Sequence, residues 1–298
     1  MKVANRPSRF ARCHGAWFGV PPSGGQGGPH QTSRVNAELQ TAFTLIELLV
    51  VIAILGIMAA LTVPVLKNFA KSDATLGASR QLLDGVARAR QLAISQRTTV
   101  YMVFVPPNFW NGLSSAQTNT PAGMTAAINL CDKQFTGYTF VSLRSAGDQP
   151  GQGTPRYLAP WQTLPDNTFI ATNKFIAPGQ PFFIASYDPN VKIYGFATNA
   201  TFPFPTENAT PRIPLPWIAF NYLGQLTTDG VDVSGFDEYI PIAKGSVLFA
   251  RDPATKTFQF NPPAASENPP GNSANSSYNI VHIDRLTGRA ILEFQKVQ

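Results

Sequence analysis

The sequence predicts an α+β fold: a long N-terminal helix, membrane-spanning in its first part, packed on an antiparallel β-sheet head. Three observations predict it. Residues 48–66 (LLVVIAILGIMAALTVPVL) carry no charge. Residues 67–95 contain no proline and repeat apolar residues at helical spacing. Beyond residue 97 the pattern changes to short β-rich runs separated by Gly, Pro and Asn. With 298 residues, 44% of them apolar, 13% charged and 26 of them Pro, the chain is neither a coiled coil nor a charge-rich disordered polypeptide, and the prolines argue against an all-helical fold. Two cysteines, Cys13 and Cys131, exclude a disulfide scaffold and match no metal-ligand spacing.

The net charge of +6 is unevenly placed. Residues 1–42 hold Lys2, Arg6, Arg9, Arg12 and Arg34 against Glu38 alone, so the rest of the chain is nearly balanced. The charge-free run spans about 28 Å as a helix, close to the ~30 Å hydrocarbon core of a bilayer. A cleaved secretory signal has a shorter apolar core, of about 7–15 residues. The upstream basic residues place the N-terminus in the cytoplasm and everything after Leu66 on the other side. An ordinary single-pass anchor is the simplest reading of this run. Glu47 at its front edge argues for something more specific, because a carboxylate at bilayer depth costs roughly 2.5–3.5 kcal/mol.

The junction Ala42-Phe43-Thr44-Leu45-Ile46-Glu47-Leu48-Leu49-Val50-Val51-Ile52 closely resembles the class III signal of type IV prepilins and type II secretion pseudopilins. The resemblance implies a cytoplasmic leader, residues 1–42, removed by a prepilin peptidase that cuts between Ala42 and Phe43 and then N-methylates Phe43. Ala42 stands where the family usually has Gly, and a start at Val20 or Val35 would give a shorter leader. Residues 43–66 remain as the transmembrane and filament helix, in which Gly56 and Pro64 match the family's helix-breaking positions. Glu47 is implied to pair with the Phe43 amine of a neighbouring subunit; the competing reading is a Glu at headgroup depth.

Residues 67–97 continue as an amphipathic helix, with Leu66, Phe69, Leu76, Leu83, Val86 and Ile94 on its packing face. Arg80, Asp84 and Arg88 form an i, i+4 ladder read as solvated. Residues 98–298 form a periplasmic head. Its expected strands are Thr98–Val105, apolar on both faces and therefore internal, then Tyr138–Leu143, Pro181–Ser186, Trp217–Asn221, Ser246–Ala250, Tyr278–Asp284 and Arg289–Phe294. The last two are joined by Arg285-Leu286-Thr287-Gly288, with Gly288 at positive φ. Residues 106–216 read as long insertions. Three stretches resemble the H-type pseudopilins and FimT-like proteins: Val86–Ile94 with the following strand, Ile218–Leu226, and Ile283–Ala290.

No enzyme is expected. After the leader the chain has one histidine, His282, without a nucleophile motif, and one cysteine, which together cannot supply three zinc ligands. Asp229, Asp232, Asp237 and Glu238 offer oxygen ligands for calcium; the spacing is not that of an EF-hand, and a solvated loop is the alternative. No cofactor is expected, and nucleic acid is not an expected partner, because the C-terminal Arg285, Arg289 and Lys296 alternate with Asp284 and Glu293. The function implied is that of a minor pseudopilin of a type II secretion system, single-pass in the bacterial inner membrane. Its expected partners are the prepilin peptidase/N-methyltransferase, other pseudopilins or pilins, and the inner-membrane assembly platform. The alternative is a type IV pilus minor pilin for pilus assembly, adhesion or DNA uptake.

Overall fold

The computed structural model describes residues 44–145, 147–149, 151–176, 178, 180–184, 188, 191–276 and 279–294, the backbone alone for 61–73 and 294. The leader, Ala42 and Phe43 lie outside the described residues. The chain divides into two compact units, residues 1–55 and 56–298.

Helix α1 (Leu45–Gln96) runs unbroken for 52 residues. Gly56 and Pro64, expected to interrupt it, lie inside it. A lone proline removes one backbone hydrogen bond, and here the ladder continues on both sides. At its end, Arg97 takes φ +51, and the amides of Arg97 and Thr98 donate to the carbonyls of Ile94 and Ala93. This is a Schellman closure with arginine at the position that favours glycine.

The head follows in chain order: β1 (Val100–Phe104), α2 (Ser115–Thr118), α3 (Pro121–Cys131), β2 (Gly137–Ser142), β3 (Arg156–Tyr157), β4 (Gln162–Thr163), β5 (Thr168–Ile170), β6 (Pro181–Phe182) and β7 (Ile193–Tyr194). Then come β8 (Thr201–Phe202), β9 (Ile213–Pro214), β10 (Trp217–Phe220), β11 (Leu226–Thr227), β12 (Glu238–Leu248), β13 (Ala264–Glu267), β14 (Asn279–Ile283) and β15 (Ala290–Phe294). One sheet has the order β11-β10-β1-β2-β3, with β4 also on β2; a second has the order β13-β12-β14-β15, with β5 also on β12. Among the described residues every strand pairing is antiparallel.

The helix meets the sheets through small residues. Ala78, Leu82, Val86, Ala89 and Ala93 are fully buried against Met102, Phe104, Tyr138, Phe140, Phe220, Ile242 and Val281. A Cβ at Gly85 would stand 3.2 Å from Met102 Cε. The packing face is therefore rotated from the expected one. Val86 is on it, Leu83 is only partly buried and Ile94 is exposed. Leu76, Leu83 and Ile94 flank that face, because close approach of helix to sheet selects Ala and Gly; the side chains of Leu66 and Phe69 lie outside the described residues. The Arg80, Asp84 and Arg88 side chains close no ion pair among the described residues; the Arg88 guanidinium lies 5.7 Å from the Phe140 ring centroid.

Strand β1 is internal and buried on both faces, as its composition requires. What covers its far face comes from residues 106–216. Phe109, Ala127, Leu130, Phe202, Phe204, Ile213 and Leu215 form a second core with Tyr101, Val103, Val141 and Trp217. Residues 106–216 thus include structured core, with α3 begun by the signal Thr120-Pro121: Gly123 N–H donates to Thr120 Oγ1 at 3.1 Å. The expected strand Ser246–Ala250 overlaps the end of a longer one that stops at Leu248: β12 starts at Glu238 and pairs with β14, β5 and β13 in succession. Of Pro181–Ser186, only Pro181–Phe182 is strand among the described residues.

Residues 106–216 are tied to the second sheet by a buried ion pair, Lys174 with Glu238 Oε1. The Lys174 side chain is 0% exposed; its Nζ also donates to the Tyr194 carbonyl at 2.5 Å and lies 4.5 Å from the Phe196 ring centroid. Burial pushes the lysine pKa down and the glutamate pKa up, and their mutual attraction opposes both shifts. Elsewhere in the head, Gly288 takes φ +61 as the hairpin requires, and a Cβ there would stand 2.0 Å from the Gly224 carbonyl oxygen. Cys131 is buried and free; burial first, and the Asp132 charge second, raise its thiol pKa to about 11.

Three measurements check this account. Lys174→Met leaves Glu238 buried without its counter-ion and should cost about 3–5 kcal/mol in denaturant unfolding; adding Glu238→Gln should recover most of the loss. Gly288→Ala should cost about 2 kcal/mol or more, because both φ and the Gly224 oxygen oppose a Cβ. At pH 8 only about a thousandth of the Cys131 thiol is ionised. Thiol titration should therefore find it unreactive in the native head and reactive after unfolding.

Candidate functional site

The N-terminal end of α1 carries the chemistry expected of the chain. Thr44 caps the helix: its Oγ1 accepts from the Glu47 N–H at 3.3 Å, and its carbonyl accepts from the Leu48 N–H at 3.1 Å. Thr44-Leu45-Ile46-Glu47 has the spacing of a capping box, with Glu47 in the first turn, where the helix dipole favours a carboxylate. This capping role is legible in the sequence as Thr-x-x-Glu. Glu47 is exposed.

The rest of the first turns is apolar and uncovered. Every residue from Thr44 to Ala60 is exposed, with Leu45 at 83% and Ile57 at 63%. A helix apolar on all faces requires an apolar surrounding, lipid or other helices. Among the described residues no helix is long and apolar enough to cross a membrane. The expected span, residues 48–66, continues into residues 61–66, whose side chains lie outside the description. The partner proposed for Glu47, the Phe43 amine, also lies outside it.

Three of the four acidic residues considered for calcium, Asp229, Asp237 and Glu238, have separate partners. Asp229 Oδ1 accepts from the Thr227 hydroxyl and from the amides of Val231 and Asp232, bonds that hold its carboxyl below the usual carboxylate range. Asp232 is exposed. Asp237 accepts from the Arg285 amide at 3.0 Å and lies 3.1 Å from His282 Nε2. Glu238 holds Lys174. Among the described residues no group of three or more His, Cys, Asp or Glu forms a metal site.

His282 is a half-buried strand histidine held at both ring nitrogens, Nδ1 at 2.7 Å from Glu293 Oε1 and Nε2 opposite Asp237, and stacked on Tyr239 with centroids 4.4 Å apart. It links β14, β15 and the start of β12. Sequence reasoning missed the carboxylates because they lie 11 and 45 residues away. It also missed Arg90, whose Nε donates to the Thr287 carbonyl at 2.7 Å and ties α1 to the last hairpin.

Residues 39–63 match the family model described as "Prokaryotic N-terminal methylation motif". No curated protein and no solved structure matches the chain. The matched segment contains Ala42, Phe43, Thr44, Glu47 and Gly56, on which the resemblance to prepilins rests; Pro64, also part of that resemblance, lies one residue beyond it. This prepilin-type motif supports a type IV pilin-like protein, made as a membrane-anchored precursor, processed by a prepilin peptidase and assembled with other pilins.

Proposed function

We propose that the chain is a minor pseudopilin, a non-enzymatic structural subunit of a type II secretion pseudopilus that links subunits or initiates the filament during protein secretion. The observation that carries this reading is the prepilin-type motif on a helix whose residues 44–60 are exposed on every face. In an assembled filament that surface meets the helices of neighbouring subunits, and before assembly it meets the inner membrane. Glu47 then needs a cation, and the methylated amine of Phe43 on the adjacent subunit provides it. Pairing the two sets the axial register of the incoming helix.

The H-type assignment rests on three stretches that meet in the fold. Arg90, within Val86–Ile94, bonds Thr287. The Leu226 amide donates to the Arg285 carbonyl at 3.0 Å, and Gly288 approaches Gly224. The segments that resemble H-type pseudopilins thus form one contiguous corner of the head, where a change in one must be accommodated by the others.

Co-expression with a prepilin peptidase should remove residues 1–42 and leave N-methyl-Phe43 by intact-mass measurement. A product that retains Arg34, or one cut beyond Ala60, would overturn the reading. Glu47→Gln should leave cleavage intact and reduce crosslinking to partner pseudopilins by about tenfold or more, given the roughly 2.5–3.5 kcal/mol scale of an unpaired carboxylate in lipid. In the native host, loss of the gene should impair protein secretion. Lost twitching or DNA uptake with secretion unchanged would assign it to a type IV pilus instead.

A further inference from the structure

A cavity of about 500 Å³ opens between the two sheets, where β10 and β11 face β7 and the start of β12. Its lining includes Tyr194, Thr198, Asn199, Trp217, Phe236 and Glu238. The Tyr194 and Phe236 rings, 4.6 Å apart and inclined at 36°, pack against each other, and both residues line the cavity. Thr198 and Asn199 are exposed. Glu238 is almost wholly buried and uses Oε1 on Lys174, which does not line the cavity. Trp217 is also buried, and its indole N–H has no acceptor among the described residues.

We propose that this cavity is a carbohydrate-binding site, which holds one sugar ring against the Tyr194–Phe236 pair with a ring hydroxyl donating to Glu238. The charge arrangement narrows the ligand class. Lys174 already balances Glu238, so a cationic ligand would bring an uncompensated charge to a desolvated pair. An anionic ligand meets the carboxylate first, with the lysine behind it. A purely apolar ligand would displace water from the carboxylate and return no hydrogen bond. A neutral ring with one C–H face and a polyhydroxyl edge satisfies all three constraints. Its C–H face packs on the outward side of the aromatic pair, and its hydroxyls are offered Glu238, Asn199 and Thr198 as partners. The volume lies within the ~300–1,000 Å³ usual for small-ligand sites. This inference is independent of the filament role, so either can fail alone.

The test is isothermal titration calorimetry on the full chain in a zwitterionic, sugar-free detergent, with glucose, galactose and N-acetylglucosamine as probes. At least one should bind with a Kd on the order of millimolar. Tyr194→Leu and Asn199→Ala should each weaken that binding about tenfold with little change in melting temperature. Glu238→Gln made together with Lys174→Met, which leaves no charge unpaired, should abolish it. No binding of any sugar up to about 50 mM would overturn the proposal. So would binding that survives the Tyr194 and Asn199 substitutions, or capture of indole or butylamine at this site with all three sugars silent.

Discussion

The head depends on how closely α1 can approach the two sheets. Ala78, Gly85, Ala89 and Ala93 form a seam with little side chain, so that Met102, Tyr138 and Phe140 from one sheet and Ile242 and Val281 from the other fill the space around the helix. Each contact in such a core is a weak dispersion term, and density supplies the total. With both sheets set against one helix, the distance between them is fixed, and so are the positions of the elements that bridge them. The left-handed Arg97 that ends the helix turns the chain straight into β1, the central strand of the first sheet.

A strand buried on both faces needs cover on the side away from the helix. Residues 106–216 provide it through α3 and the Phe202–Leu215 segment. The cost of joining this layer to the second sheet is visible at Lys174 and Glu238, two charges taken out of water together. An ion pair in that position adds little to stability against well-packed apolar residues, yet losing one partner is severe. It also holds a carboxylate rigidly at the edge of a cavity, where a flexible surface glutamate would be free to turn to solvent.

The first unit obeys a different constraint. Its described residues pair a polar cap, Thr44 with Glu47, with an apolar surface that the structure leaves uncovered. Such a segment is completed only by lipid or by other helices. The prepilin-type motif over residues 39–63 agrees with that need.

Several elements were legible because their signals are local. The charge-free run, the Glu at its entrance, the β-rich Val100–Phe104 and the Gly288 turn each depend on residues adjacent in the chain, and these elements appear where the sequence places them. The start of α3 was equally local in Thr120-Pro121 but lay within a region read as insertion. Strands β2, β10, β14 and β15 also lie where β-rich runs predicted them. How the elements of the head pack could not be read this way. The Ala/Gly seam has no hydrophobic signature, since small residues gain importance only from what approaches them. The start of β12 at Glu238 was hidden in an acidic stretch whose carboxylates look solvated until Lys174, Arg285 and His282 are brought to them. The sequence by itself determined a long apolar-to-amphipathic helix with a carboxylate near its start and a β-rich head after it. The tertiary structure alone decided which helix face is buried, what covers the first sheet, and where the acidic side chains find partners, because each depends on contacts between residues tens of positions apart.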